Sequence, residues 1–338
     1  MACGRTLAPV EVAYTAVGPL APDGANVVVV CHALTGDAHA AGPGGWWAAM
    51  VGPGRPVDTT RFHVICANLL GGCQGTTGPS SVDPATGARY GMTFPPIAVA
   101  DLVAVQRRLL AHLQIDRVHA AIGGSLGGMQ VLQWLLDAPG EIRRAVMVGA
   151  SAELTAENIA FSAVARAAIL GSGEGGRAGM AVARRLAHIT YLSEAALQQR
   201  FGRALAPGAE ADPADAVSWL GTRFEVESYL DHQAEVFLDR FDPLTYLWLT
   251  RVMDGFAPLA DTPAAAAALA AQPGLRTLVI SFDSDWRFST AHARRLADGL
   301  RGAGAVHVEQ LELAGPRGHD SFLLEVPGYQ SAVAAFIG

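Results

Sequence analysis

The apolar run Val118-His119-Ala120-Ala121-Ile122 leads without a break into Gly123-Gly124-Ser125-Leu126-Gly127, and a helix-spaced apolar stretch continues to Leu136. Strand, glycine-flanked serine and helix, in that order, define a nucleophile elbow. A serine in such a turn takes a strained backbone conformation, and glycines are needed beside it because side chains there would collide with the strand and helix. The turn holds the serine oxygen out at the carboxyl end of the sheet. The helix that starts next to it offers free N–H groups and a favourable dipole end to a developing negative charge.

On either side of this turn, short β-branched runs alternate with helical spacing. Strands are predicted over residues 27–31, 62–66, 118–122 and 144–148, with helices over 97–113 and 126–136. That alternation predicts a mostly parallel sheet with helices on both faces. Across residues 153–271 the strands disappear, and helical segments are separated by breakers such as the glycine-rich run from Gly171 to Gly176 and Pro213. The helix-start pair Thr262-Pro263 makes the alanine-rich run 264–271 an ordinary helix. Strand patterning returns over 277–281 and 306–311, and a last helix is expected over 328–336. The expected architecture is α/β, with a sheet core built from residues 1–152 and 272–338 and a helical lid, residues 153–271, inserted between them.

Composition narrows the function. At 338 residues, 51% hydrophobic and 16% charged, the chain can bury a large core and is unlike a disordered protein. A net charge of −7 without basic runs gives no footprint for nucleic acid or an anionic membrane. The absence of a signal-like start or a long apolar run predicts a cytoplasmic protein with no membrane span. Four cysteines, Cys3, Cys31, Cys66 and Cys73, lack metal-ligand spacing and fit a reducing compartment, so no metal site is expected.

A serine hydroxyl needs a base, so the elbow predicts an acid and then a histidine further along the chain. His319 follows the strand at 306–311, and Asp283 and Asp285 both follow the strand at 277–281. On spacing alone the two aspartates compete, since loop aspartates also cap turns. An oxyanion formed at Ser125 needs two preorganised donors. The backbone N–H of Leu126 is one candidate, and that of Leu34, in the loop after the strand at 27–31, is the other. His32 in that loop reads as a strand-end residue that orders it by hydrogen bonding, in preference to a ligand.

These residues resemble the homoserine O-acetyltransferases, α/β-hydrolase-fold acyltransferases of methionine biosynthesis. The likeness runs from Val12 to the C-terminus and rests on Cys31-His32-Ala33-Leu34-Thr35-Gly36-Asp37-Ala38-His39, Asn68-Leu69-Leu70-Gly71-Gly72-Cys73-Gln74-Gly75-Thr76-Thr77-Gly78-Pro79 and Gly123-Gly124-Ser125-Leu126-Gly127-Gly128-Met129-Gln130. Arg223-Phe224-Glu225-Val226-Glu227-Ser228-Tyr229-Leu230, Arg240-Phe241-Asp242 and Gly318-His319-Asp320-Ser321-Phe322-Leu323 extend it.

The resemblance implies an α/β-hydrolase fold with Ser125 as nucleophile, His319 as base and Asp285 as the acid. It further implies that Arg223 binds the acceptor's carboxylate and Asp320 its ammonium group, with Tyr229 nearby. A ping-pong reaction follows, in which acetyl-CoA acylates Ser125 and the hydroxyl of L-homoserine takes the acyl group. No bound cofactor is expected, and a homodimer formed through the helical lid is. Arg287, Ser289, Thr290 and Pro243 depart from the family pattern, which leaves succinyl-CoA as donor and L-serine as acceptor in contention. An esterase using the same triad, or a silent binding protein keeping the fold, are the readings from other classes.

Overall fold

The computed structural model describes residues 1–173, 175–208, 215–221 and 224–338. Seven strands of the described residues form one sheet: β1 (Tyr14–Val17), β2 (Val27–Cys31), β3 (His63–Ala67), β4 (Val118–Gly124), β5 (Ile142–Val148), β6 (Arg276–Phe282) and β7 (His307–Leu313). The helices are α1 (Val99–His112), α2 (Leu126–Asp137), α3 (Ala156–Gly171), α4 (Arg177–Tyr191), α5 (Glu194–Phe201), α6 (Ala216–Leu220), α7 (Glu225–Leu238), α8 (Pro243–Asp254), α9 (Thr262–Ala270), α10 (Thr290–Gly302) and α11 (Tyr329–Ile337).

Strand order is β1-β3-β2-β4-β5-β6-β7, parallel throughout except for β1, which runs antiparallel to β3 at one edge. Unbroken apolar runs such as Val27-Val28-Val29-Val30-Cys31 are buried at every residue because both faces of the sheet are covered. One apolar cluster, around Trp134, Met129 and Leu102, fills the side of α1 and α2. The other, around Trp47, Phe282 and Tyr329, fills the side of α11. Sequence periodicity misses β1, a four-residue edge strand whose residues alternate between exposed and partly buried.

Between β5 and β6 the described residues are helical, apart from one isolated antiparallel bridge from Leu205 to Phe224. Local chemistry fixes the helix starts here. Asp242 caps α8 by accepting the Thr245 N–H at 2.9 Å, with Pro243 in the first turn where its missing N–H costs nothing. Asp261 caps α9 in the same way, and Pro263 follows it. The Pro243 departure is thereby a helix-start feature. No helix of the described residues is long and apolar enough to cross a membrane.

Candidate active site

Ser125 joins β4 to α2 with φ 56° and ψ −125°, a left-handed conformation that side chains rarely adopt. The glycines explain how the turn closes. A Cβ at Gly123 would overlap the backbone of Gly127, and one at Gly127 would overlap the carbonyl of Cys31 at the end of β2. The strand, the turn and the helix therefore touch backbone to backbone, and the Ser125 N–H is pinned to the Val148 carbonyl at 2.9 Å.

Asp285 and His319 meet on the loops after β6 and β7. His319 Nδ1 lies 2.7 Å from Asp285 Oδ2, and both side chains are buried. The other carboxylate oxygen accepts the Phe288 N–H at 2.8 Å, so the acid is held from both sides. Asp283, the competing acid, instead accepts the Gly315 N–H at 2.9 Å and ties the two loops together. Ser284 bonds the Gly315 carbonyl and accepts the Gly318 N–H, bracing the segment that presents His319. The imidazole is packed by the ring of Phe288, with centroids 4.9 Å apart and planes 29° apart, and by Phe322 and Tyr191.

Shared neighbours bring Ser125 and His319 to one place. Gly149, next to the carbonyl that holds Ser125, would carry a Cβ 3.4 Å from His319 Cε1 and 3.5 Å from Asp285 Oδ2. Phe322, three residues after His319, packs on Gly124. Among the described residues the serine hydroxyl and the imidazole are not hydrogen-bonded to one another. Such contacts commonly close only when substrate binds.

The N–H of Leu126 opens α2 and has no intrahelical acceptor. Leu34 is buried in the loop after β2, and its N–H makes no hydrogen bond among the described residues. His32 orders this loop: Nδ1 contacts the Ala33 carbonyl at 2.8 Å and Nε2 accepts the Leu69 N–H at 3.2 Å. Burial lowers its pKa to about 4 and keeps it neutral. Gln130, to which the sequence assigned no role, ties the loop to the elbow by donating to the carbonyls of His32 and Leu126 at 3.0 and 3.2 Å.

Of the acceptor-binding residues expected from the resemblance, Arg223 lies outside the described residues. Asp320 follows His319 and, although one edge reaches solvent, burial raises its pKa to about 6. Tyr229 on α7 shares its hydroxyl with His188 Nδ1 at 3.1 Å. A residue not anticipated stands with them. Arg184 on α4 has Nε and Nη1 buried without a hydrogen-bond partner, and its guanidinium lies 4.2 Å over the Phe237 ring. Its charge acts on Asp320, Tyr229 and His188.

The segment that departs from the family pattern is ordered by the same centre. Phe288 stacks on His319, and Ser289 stands at the N-terminal boundary of α10, its hydroxyl 3.0 Å from His292 Nδ1. Arg287 donates to the neutral Thr190 hydroxyl at 3.2 Å and lies 5.9 Å from the centre of the Tyr191 ring. No carboxylate among the described residues pairs with it.

An elbow serine, a carboxylate-bound histidine and free N–H groups at a helix start, on the loops of a parallel sheet, are what the α/β-hydrolase class places at its catalytic end. Residues 26–326 match the family described as alpha/beta hydrolase fold. The chain is 52% identical to a homoserine O-succinyltransferase of Nocardioides sp., over 99% of this chain and 93% of that one. It is 46% identical to a homoserine O-acetyltransferase of Gluconobacter oxydans, over 99% and 89%. The chain belongs to the homoserine O-acyltransferase family of α/β-hydrolase-fold proteins. Among solved structures, the esterase E22 superposes with a TM-score of 0.84 at 24% identity, covering 97% of this chain and 94% of that one. That likeness concerns the fold, which serves water and alcohol acceptors alike.

Proposed function

We propose that this chain transfers an acyl group from an acyl-CoA to the hydroxyl of L-homoserine, a step of methionine biosynthesis, through an acyl-serine at position 125. The observation that carries the reading is the 2.7 Å contact of His319 Nδ1 with Asp285, which leaves Nε2 as the base. Asp285 fixes the tautomer and stabilises the imidazolium while Ser125 attacks the thioester carbonyl. The oxyanion is received by the N–H groups of Leu126 and Leu34, and coenzyme A leaves as the thiol, taking from His319 the proton that came from Ser125. Homoserine's hydroxyl then gives its proton to His319 and attacks the acyl carbonyl, and the bond to Ser125 breaks as its oxygen takes that proton back from His319.

Acceptor selection rests on Asp320 for the ammonium group. For the carboxylate, Arg184 has a stronger claim than Arg223, because its Nε and Nη1 are buried without a hydrogen-bond partner until an anion arrives. Arg287 favours a succinyl group over the acetyl group expected from the resemblance. Its unpaired cation near the Tyr191 ring, which itself packs on His319, suits an acyl chain ending in a carboxylate.

A matrix of acetyl-CoA and succinyl-CoA against homoserine and serine tests the reading. Homoserine with succinyl-CoA is expected to give the highest kcat/KM. Thioester turnover indifferent to homoserine, accompanied by cleavage of simple esters, would place the chain among the hydrolases.

A further inference from the structure

His188 is the buried polar group for which the mechanism above has no use. It lies one helical turn after Arg184 on α4, so the two side chains share a face. The ring is 6% exposed; Nδ1 meets the Tyr229 hydroxyl at 3.1 Å, and Nε2 is buried with no hydrogen-bond partner. Leaving such an atom unpaired in the interior is costly, and it stands beside two more unpaired donors, Arg184 Nε and Nη1. Tyr191, which packs against both His188 and His319, connects this corner to the catalytic ring.

We infer that His188 Nε2–H is a further donor to the acceptor's carboxylate, beside Arg184, and that Tyr229 is a positioning residue that sets the His188 tautomer. This inference rests on the homoserine reading and names the atoms that recognise one end of that acceptor. The tautomer follows from the pairing. A neutral imidazole carries one N–H. Burial and the Arg184 charge lower the His188 pKa to about 3, so the ring is neutral. When the Tyr229 hydroxyl donates to Nδ1, the hydrogen resides on Nε2, and all three unpaired atoms of this helix face become donors awaiting an anion. Arg184 supplies charge; the imidazole adds direction without a second positive charge to desolvate.

The test compares homoserine with 3-aminopropan-1-ol, which keeps the hydroxyl and the amine but lacks the carboxylate. In the wild type, homoserine is expected to be strongly preferred in kcat/KM. In H188L that preference is expected to narrow by about 10- to 100-fold, the size of one hydrogen bond to a charged group, mainly through KM for homoserine. H188Q, whose amide nitrogen reaches the Nε2 position, should recover most of the preference, and H188N, whose amide sits near Nδ1, should not. Y229F should shift the preference in the same direction by less. Because H188Q is a near-isosteric replacement, its recovery separates recognition from misfolding. A wild type with no preference for homoserine overturns the acceptor reading and this inference together. A wild type that discriminates, with H188L discriminating equally well or H188N outperforming H188Q, overturns the His188 assignment alone.

Discussion

Asp285 holds His319 with one carboxylate oxygen, at 2.7 Å from Nδ1, and the backbone of Phe288 with the other, at 2.8 Å. The same loop that positions the acid also lays the Phe288 ring along the imidazole, so the orientation of His319 is fixed both by a hydrogen bond and by packing.

Replacing Asp285 with Asn keeps the shape but presents an amide that favours the wrong imidazole tautomer. D285N is expected to lower kcat by about 10⁴-fold, the loss typical of serine triads, with little change in thermal stability. Steady-state turnover together with a melting curve checks this, and a kcat within tenfold of wild type would remove Asp285 from the mechanism.

The elbow makes a prediction about stability. Gly127 has no room for a methyl group because the Cys31 carbonyl occupies that space. G127A is expected to cost at least about 2 kcal/mol in denaturant unfolding, whereas alanine at Gly140, where a Cβ meets open space but φ is 87°, should cost about 1 kcal/mol.

The raised pKa of Asp320, about 6, gives a signed pH dependence. Above that value the carboxylate is charged and can hold an ammonium group; below it the carboxyl is neutral and the attraction fades. The kcat/KM for homoserine relative to 4-hydroxybutanoate, which lacks the amine, should fall as pH drops below about 6, and the ratio removes effects common to both acceptors. In D320N the ratio should be low and flat with pH.

Much of this site can be read from the chain because its parts lie at strand ends, where the change from period two to helical spacing marks them. Ser125 and His319 were reachable that way, and so were the paired loops after β6 and β7. Spacing alone did not choose between Asp283 and Asp285, since both follow the same strand within three residues; the family resemblance pointed to Asp285, and in the fold one meets Gly315 and the other His319. Arg184 was illegible for a similar reason. It sits beside Arg185, which pairs with Asp231 at 2.8 Å on a half-exposed face, and no local feature says which arginine turns inward. The four-residue spacing of Arg184 and His188 was the one signal available. Pro243, a departure from the family pattern, lies in the first turn of α8.

Arg287 yields a prediction on the donor. R287L should lower the ratio of kcat/KM for succinyl-CoA over acetyl-CoA by about 10- to 100-fold, because the cation's counterpart is the acyl carboxylate. An unchanged ratio would leave Arg287 a loop residue stacked on aromatic rings.

The most direct measurement is of the covalent intermediate itself. Enzyme mixed with succinyl-CoA in the absence of acceptor and quenched rapidly should carry one acyl group, mapped by peptide mass spectrometry to Ser125, and should release one equivalent of coenzyme A in a burst. Adding homoserine should clear the label much faster than water does, giving the O-acyl amino acid. A label on another residue, or steady transfer to homoserine with Ser125 never acylated, would contradict the account.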